Sequence, residues 1–157
     1  MTTTSAVRSE PQIIRPSVHT SLVPGTATEV QVTAGEHAFT IDEPPALGGT
    51  DRGANPVEHL LAALGSCQVI TVQVWAQQLG IDVEAVEVDL SGELDLRGFL
   101  GLSDEVRPGF SSIDVAVVIQ GPEAPERYQE LIEAVERHCP VQDTLGGVPI
   151  SASYTAA

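Results

Sequence analysis

The chain has 157 residues, which suits one domain, and its 22 acidic against 7 basic residues give a formal net charge of −15. So strong a negative charge repels phosphate backbones and anionic lipid head groups, so we expect neither a nucleic-acid partner nor a membrane partner. The first twenty residues carry neither the apolar core of a secretory signal nor the Arg-rich amphipathic pattern of a transit peptide, which predicts a cytoplasmic protein.

The N-terminal third predicts an arm, a hairpin and a loop. Residues 1–20 hold two prolines and no sustained periodicity, so we expect a flexible N-terminal arm, followed by a single domain over residues 21–157. Two short alternating runs, around Val30 and over 38–41, are joined by a turn at Ala34 and Gly35 and predict a β-hairpin. Residues 44–56 are dense in Gly, Pro, Asp and Asn and predict a loop.

A long helix follows this loop. Asn55 suits the N-cap, Pro56 the first helical position and Glu58 the capping-box carboxylate, while Gly80 suits the C′ position after Leu79. No charged residue lies between positions 60 and 79, and a helix of this length could cross a bilayer. Four glutamines within it and the lack of flanking basic residues instead favour a buried helix of a globular protein. Because apolar side chains lie all round it, we expect a second copy of the chain to cover one side, and therefore a homodimer.

The second half of the chain predicts two more strands, a helix and a last strand. Alternating apolar residues run over 86–90 and 113–119, and each run predicts a strand. Residues 125–139 form an amphipathic pattern whose apolar stripe ends at Cys139, and Pro140 stops this helix. Residues 147–154 predict a final strand. Runs of strands and helices in this order are typical of an α+β fold with antiparallel strands, not of an alternating parallel one.

The two cysteines, Cys67 and Cys139, lie 72 positions apart on apolar faces of the two helices. In a reducing compartment they are expected as free thiols or a transient redox pair. One interpretation is that each packs as a small buried hydrophobe. The other is that one thiolate attacks a substrate, becomes a sulfenic acid and is resolved by the other thiol, which requires the two to meet. The spacing of the two cysteines along the chain does not decide between these two interpretations.

The segment "NPVEHLLAALGSC", followed later by "HCPV", with "DEPPALGG" before and "RPGFSSIDVAVVIQGP" between, resembles the osmotically inducible protein C and organic hydroperoxide resistance (OsmC/Ohr) family over residues 26–154. This resemblance implies an intertwined α+β homodimer, with antiparallel sheets wrapped around long central helices. It also implies a thiol-dependent peroxidase for organic hydroperoxides, regenerated by a dithiol and needing no cofactor. By resemblance, Cys67 is the peroxidatic nucleophile and Cys139 the resolving thiol.

Two positions depart from the pattern of those peroxidases. Their activating arginine ends the first strand of the N-terminal hairpin, where this chain has Thr33 and Ala34; Arg15 and Arg52 are the nearest arginines and match no motif position. Their glutamate directly follows the helix-start proline, whereas here the carboxylate comes one place later.

That carboxylate, Glu58, is the third candidate site residue. Nine helical residues separate it from Cys67, which puts the two on opposite faces and about 13–14 Å apart. Its capping role is therefore the simpler interpretation.

Other kinds of site are weaker. A zinc site built from the cysteines, His59 and His138 lacks the short ligand spacing, and Ser66 lacks the nucleophile elbow of a serine hydrolase. His138, being adjacent to Cys139, is predicted to point away from it. The main alternative keeps the fold without the enzyme: a dimer that binds a small apolar ligand. The missing strand-end arginine favours this alternative.

Overall fold

A computed structural model describes residues 11–146, which divide into two compact units, one up to Pro56 and one from Val57 onward. The α+β prediction is confirmed, since both units contain antiparallel strands and the second contains a long helix. The first ten residues of the predicted arm and the predicted last strand, 147–154, lie outside the described residues. The predicted domain boundaries stay a prediction.

The first unit is a three-stranded antiparallel sheet in the order β1-β2-β3. Its strands are β1 (His19–Leu22), β2 (Val30–Ala34) and β3 (His37–Ile41), and a 3-10 turn (Pro45–Leu47) follows. The predicted hairpin is confirmed as β2 and β3, which pair from Val30↔Ile41 to Ala34↔His37. Strand β1 was not predicted, because its four exposed residues carry no apolar alternation.

A buried carboxylate organises the loop after β3. Asp42 is 1% exposed and accepts hydrogen bonds from Thr28 Oγ1 at 2.6 Å and Thr50 Oγ1 at 2.8 Å. The backbone N–H groups of Glu43, Thr50 and Arg52 donate to it as well. These donors, the Thr28 hydroxyl first, hold the pKa of Asp42 well below its usual range. The carboxylate thereby fixes the course of the Gly/Pro-rich loop that precedes the long helix.

As far as residue 146, the second unit comprises four helices and a two-stranded antiparallel sheet. Its elements in chain order are α1 (Pro56–Leu79), β4 (Ala85–Glu93), α2 (Leu96–Phe99), β5 (Ser112–Gln120), α3 (Pro125–His138) and α4 (Pro140–Leu145). The paired strands run from Ala85↔Gln120 to Glu93↔Ser112, and they include the two alternating runs that predicted strands.

Helix α1 has the predicted bounds and buries one face. Gly80 adopts a φ of 62°, the left-handed conformation that ends a helix. The core of the unit joins this face to β4, β5 and α3 through buried residues: Val72, Ala76, Ile81, Leu131 and Val135. Gly65 is also buried, and a Cβ there would lie 2.6 Å from Leu90 Cδ1, so its missing side chain lets α1 pack closely on β4.

The opposite face of α1 carries exposed apolar side chains in the part of the chain that the structure describes. Ile70 is 62% exposed and Val74 is 46% exposed. Among the described residues, α1 is the helix long and apolar enough to cross a membrane on length and composition, and 33% of its most apolar window is buried. Core helices of soluble proteins pass the same test. The all-round apolar pattern therefore corresponds to one covered and one open face.

Helix α3 is fastened to the end of α1. The Arg127 guanidinium donates to the carbonyl of Leu79 at 2.8 Å, and the Tyr128 hydroxyl donates to the carbonyl of Asp82 at 2.9 Å. A cation at a helix C-terminus satisfies carbonyls that have no partner within the helix.

Helix α3 ends one residue before the predicted position. Helix α4 was not predicted, because Pro140 both stops α3 and occupies the first position of the next helix.

Candidate redox site

The fold brings the two cysteines together. Cys67 lies on α1 and Cys139 between α3 and α4, yet their Sγ atoms are 3.2 Å apart. Both are free thiols, and a disulfide bond would need about 2.05 Å. A distance of this size allows one sulfur to attack the other after a small movement. The structure thus brings the two thiols into contact, which their spacing along the chain could not predict.

The two thiols differ in exposure. Cys139 is 1% exposed, whereas Cys67 is half-buried. Burial raises the pKa of the Cys139 thiol above its ordinary value, and the neighbouring Cys67 raises it further, while the backbone N–H groups of Gln142 and Val141 act to lower it. A molecule from solvent therefore meets Cys67 first, and Cys139 lies behind it.

Cys67 opens into a groove of about 450 Å³ between α1 and the α3–α4 junction. The groove is lined by mostly apolar residues: Ala63, Ser66, Cys67, Ile70, Thr71, Val74, Trp75, His138, Pro140 and Val141. At one end the rings of Trp75 and His138 stack with centroids 4.3 Å apart and planes at 14°. Such a groove can hold an apolar or aromatic group beside the thiol.

His138 lines the same groove as Cys67, and its ring stacks on Trp75. His138 is exposed whereas its neighbour Cys139 is buried, which agrees with the prediction that the two point apart. The sequence held one signal for this groove. Trp75 lies eight residues after Cys67 and hence about 80° from it on α1, so the two side chains can border one groove.

Glu58 is not brought to the thiols by its own chain. It is exposed in the first turn of α1, and the helix continues unbroken from there through Cys67. The half-turn separation expected from ideal geometry therefore stands. Its role in catalysis stays a prediction. At the end of β2 the structure places Thr33 and Ala34, as the sequence indicated.

A pair of glutamines lies next to the pair of thiols. Gln68 Nε2 donates to Gln142 Oε1 at 3.0 Å, which joins α1 to α4. Both side chains border a second cavity of about 510 Å³ that faces the apolar side of β5. Sequence reasoning missed this pair, since nothing local links residues 74 positions apart.

No metal site accompanies the thiols in residues 11–146. Within this range no group of three or more His, Cys, Asp or Glu side chains could hold a metal ion.

The sequence profile of the OsmC-like protein family matches residues 49–153, which include both cysteines. A curated relative, a hydroperoxide reductase from Mycoplasma pneumoniae, is 26% identical over 113 residues, or 70% of this chain and 73% of that protein.

Solved structures share the fold at low identity. An OsmC-like protein from Mycoplasma pneumoniae aligns with a TM-score of 0.74 and 20% identity over 87% of this chain and 91% of that one. An organic hydroperoxide resistance protein, OsmC, from Legionella pneumophila aligns with a TM-score of 0.64 and 19% identity over 87% and 93% of the two chains.

Proposed function

Because the chain belongs to the OsmC-like protein family, we propose that it is a thiol-dependent peroxidase that reduces organic hydroperoxides. The observation that carries this proposal is the 3.2 Å separation of the Cys67 and Cys139 sulfur atoms beside an apolar groove. The name of the hydroperoxide reductase from Mycoplasma pneumoniae supports the same reaction class.

Two steps make up the oxidative half of the reaction. The Cys67 thiolate attacks the terminal peroxide oxygen of ROOH, the O–O bond breaks, and Cys67 becomes a sulfenic acid as the alkoxide leaves and is protonated to the alcohol. The Cys139 thiolate then attacks the Cys67 sulfur, the S–S bond forms, and the S–O bond breaks to release hydroxide, which is protonated to water. The hydroperoxide is reduced by two electrons and the thiol pair is oxidised by two.

A dithiol completes the cycle. One of its thiolates attacks the protein disulfide and its second thiol closes on the first, which returns two protein thiols and an oxidised dithiol. The buried Cys139 is reached poorly from solvent, so attack occurs at the Cys67 sulfur. A cytoplasmic location, where reductants keep cysteines reduced, suits this chemistry.

The groove favours substrates with an apolar tail. Its lining is largely apolar, and burial of an alkyl or aryl group contributes about 25 cal/mol per Å². Hydrogen peroxide has no such group. We therefore propose an alkyl or aryl hydroperoxide as the substrate class.

The uncovered face of α1 supports a homodimer. Ala63, Ile70 and Val74 lie within about 60° of one another on the helix and leave an apolar strip beside Cys67. No charged residue interrupts α1 from Leu60 to Leu79. A second α1 packed on this strip would bury it and would add a wall to the groove beside Cys67.

The test is consumption of an organic hydroperoxide with an excess of dithiol. We expect Cys67→Ser to lose activity by at least about 100-fold, because the nucleophile is gone. Without dithiol, Cys139→Ser should consume about one equivalent and hold Cys67 as a sulfenic acid, which further hydroperoxide oxidises to a sulfinic acid. Gln73→Ser, at an exposed position of α1 outside the groove, is the control and should keep activity within about twofold. Full activity of Cys67→Ser would contradict the proposal.

A second candidate function is favoured by Thr33 and Ala34 at the end of β2, where the peroxidases of this family carry an arginine. In it the chain binds an apolar ligand in the groove and its thiols do not turn over. Alkylation of Cys67 as a function of pH separates the two. Rapid reaction near neutral pH supports the peroxidase, and reaction only above about pH 8.5 supports the binding protein.

A further inference from the structure

The two glutamines join the same segments that carry the two thiols. Gln68 follows Cys67 on α1, and Gln142 lies three residues after Cys139 on α4. Their side chains are linked at 3.0 Å, while the sulfur atoms lie 3.2 Å apart. The contact between α1 and the start of α4 therefore has two polar links side by side, one between amides and one between thiols.

The amide link lies in apolar surroundings. Gln68 is 6% exposed and Gln142 is half-buried, and the cavity that they border is otherwise lined mainly by aliphatic side chains. A buried amide keeps its hydrogen bond because water cannot replace it there. The bridge thus specifies one arrangement of α4 against α1, since a shift of either segment would leave both amides without their partner.

Helix α4 needs such a link. It has six residues, none of them buried, and a helix of this length is not stable by itself. Its other hydrogen bonds include local ones, such as the Asp143 N–H to the Cys139 carbonyl and the Thr144 hydroxyl to the Pro140 carbonyl. These local bonds define the shape of α4 but do not hold it against α1. The position of the Cys139 sulfur relative to Cys67 depends on how α4 packs against α1.

We propose that Gln68 and Gln142 form a positioning pair for the resolving step, which holds the Cys139 sulfur within reach of Cys67 so that disulfide closure outpaces further oxidation. This inference rests on the proposed peroxidase function. The glutamine side chains act through the backbone of the segment that carries Cys139, whose Gln142 N–H also interacts with the Cys139 thiol. The sulfur atoms must approach by about 1 Å to bond, and a misplacement of that size can cost a large factor in rate.

The test separates attack from resolution without any hydroperoxide. With a chromogenic aromatic disulfide, the Cys67 thiolate attacks one sulfur of the reagent, forms a mixed disulfide and releases one coloured thiolate. The Cys139 thiolate then attacks the Cys67 sulfur, the protein disulfide forms and the second coloured thiolate leaves. The first phase of colour reports attack by Cys67, and the second phase reports resolution by Cys139.

Loss of the bridge should slow the second phase alone. We expect Gln68→Leu and Gln142→Leu to slow it about tenfold and to leave the first phase within about twofold of wild type. Gln73→Leu is the matched control, because Gln73 is an exposed glutamine on the same helix. It should leave both phases unchanged. Equal slowing of both phases in the Gln68 and Gln142 variants would overturn the proposal, as would a second phase at the wild-type rate.

The double variant Gln68→Leu/Gln142→Leu separates positioning from stability. Each single variant leaves one amide without its partner, whereas the double variant leaves none, so its melting temperature should recover toward the wild-type value. Its second phase should stay about tenfold slow, since the bridge is still missing. A double variant that resolves at the wild-type rate would show that the single variants were merely destabilised, and would overturn the proposal.

Hydroperoxide itself provides the last readout. With excess organic hydroperoxide, the single variants should accumulate Cys67 sulfinic acid at lower concentrations than wild type, because a slowly resolved sulfenic acid is oxidised again. If wild type reduces no organic hydroperoxide while the glutamine variants slow only the second coloured phase, the proposed function fails and the positioning pair is supported. The two claims therefore fail in different ways.

Discussion

Cys139 combines burial, a neighbouring thiol and the backbone N–H groups of the next turn at one sulfur atom. Burial has the largest effect and raises the pKa of the thiol above its ordinary value, while the N–H groups of Val141 and Gln142 oppose it. A buried thiol is protected from oxidants in solvent. It also has to lose its proton before it can resolve a sulfenic acid, because only the thiolate is nucleophilic.

The pH dependence of resolution follows from this raised pKa. Below the pKa the thiolate fraction of Cys139 rises about tenfold per pH unit, and a raised pKa extends that rise through the range above neutrality. We therefore expect the second phase of the aromatic disulfide reaction to accelerate about tenfold from pH 7 to pH 8 and again toward pH 9. Stopped-flow absorbance measures it. A second phase that is flat over this range would show that Cys139 is already a thiolate at pH 7.

Trp75 offers a test of the groove. Trp75→Ala removes the ring on which His138 stacks, and contact with an aromatic substrate should be lost with it. We expect the kcat/KM for cumene hydroperoxide to fall about fivefold to tenfold and that for hydrogen peroxide to change less than about twofold. Trp75→Phe, which keeps an aromatic wall, is the control. A wild-type protein that turns over hydrogen peroxide faster than cumene hydroperoxide would contradict the proposed substrate class.

Helix α3 connects the core to the site, because the helix that buries Leu131 also carries the backbone to Cys139. Leu131 is 0% exposed and packs in the core with Val72 and Val135. We expect Leu131→Ala to lower the free energy of unfolding by about 2–5 kcal/mol, from lost burial and the cavity left behind. Denaturant unfolding measures it. Leu102→Ala, at a leucine that is 70% exposed, is the matched control and should change it by less than about 0.5 kcal/mol.

The elements that the sequence predicted are those with a strong local signal. Helix α1 has a proline at its start, a glycine after its end and a long apolar run between them, and its observed bounds, Pro56–Leu79, agree. Strands β4 and β5 show clear alternation. Strand β1 was missed because its four residues carry no apolar alternation, and helix α4 was missed because Pro140 indicates only the end of α3.

The site was predicted in part. Motif resemblance identified Cys67 and Cys139, but their 3.2 Å separation depends on how α3 packs against α1, which no local pattern encodes. The placement of His138 depends on the break between α3 and α4. The Gln68–Gln142 bridge is a contact between distant positions and had no sequence signal at all.

At the scale of the whole molecule, the open face of α1 predicts the assembly. Ile70 is 62% exposed on an uncharged strip, so burial against a second copy should be favourable. We expect the wild type to sediment as a dimer and Ile70→Asp as a monomer, because the variant buries an unpaired charge in the interface. Ile14→Asp, at an isoleucine that is 84% exposed before β1, is the control and should stay dimeric. A monomeric wild type would contradict the homodimer.

One hydroperoxide should convert the two thiols of one chain into a disulfide bond between them. Fully reduced protein should be treated with one equivalent of cumene hydroperoxide without any dithiol, run on a denaturing non-reducing gel, digested, and mapped by mass spectrometry. We expect a band of monomer size that yields a peptide pair joined through Cys67 and Cys139, with both free thiols lost and one equivalent of alcohol formed. Protein that keeps both thiols free after this treatment, or that joins cysteines only between chains, would contradict it.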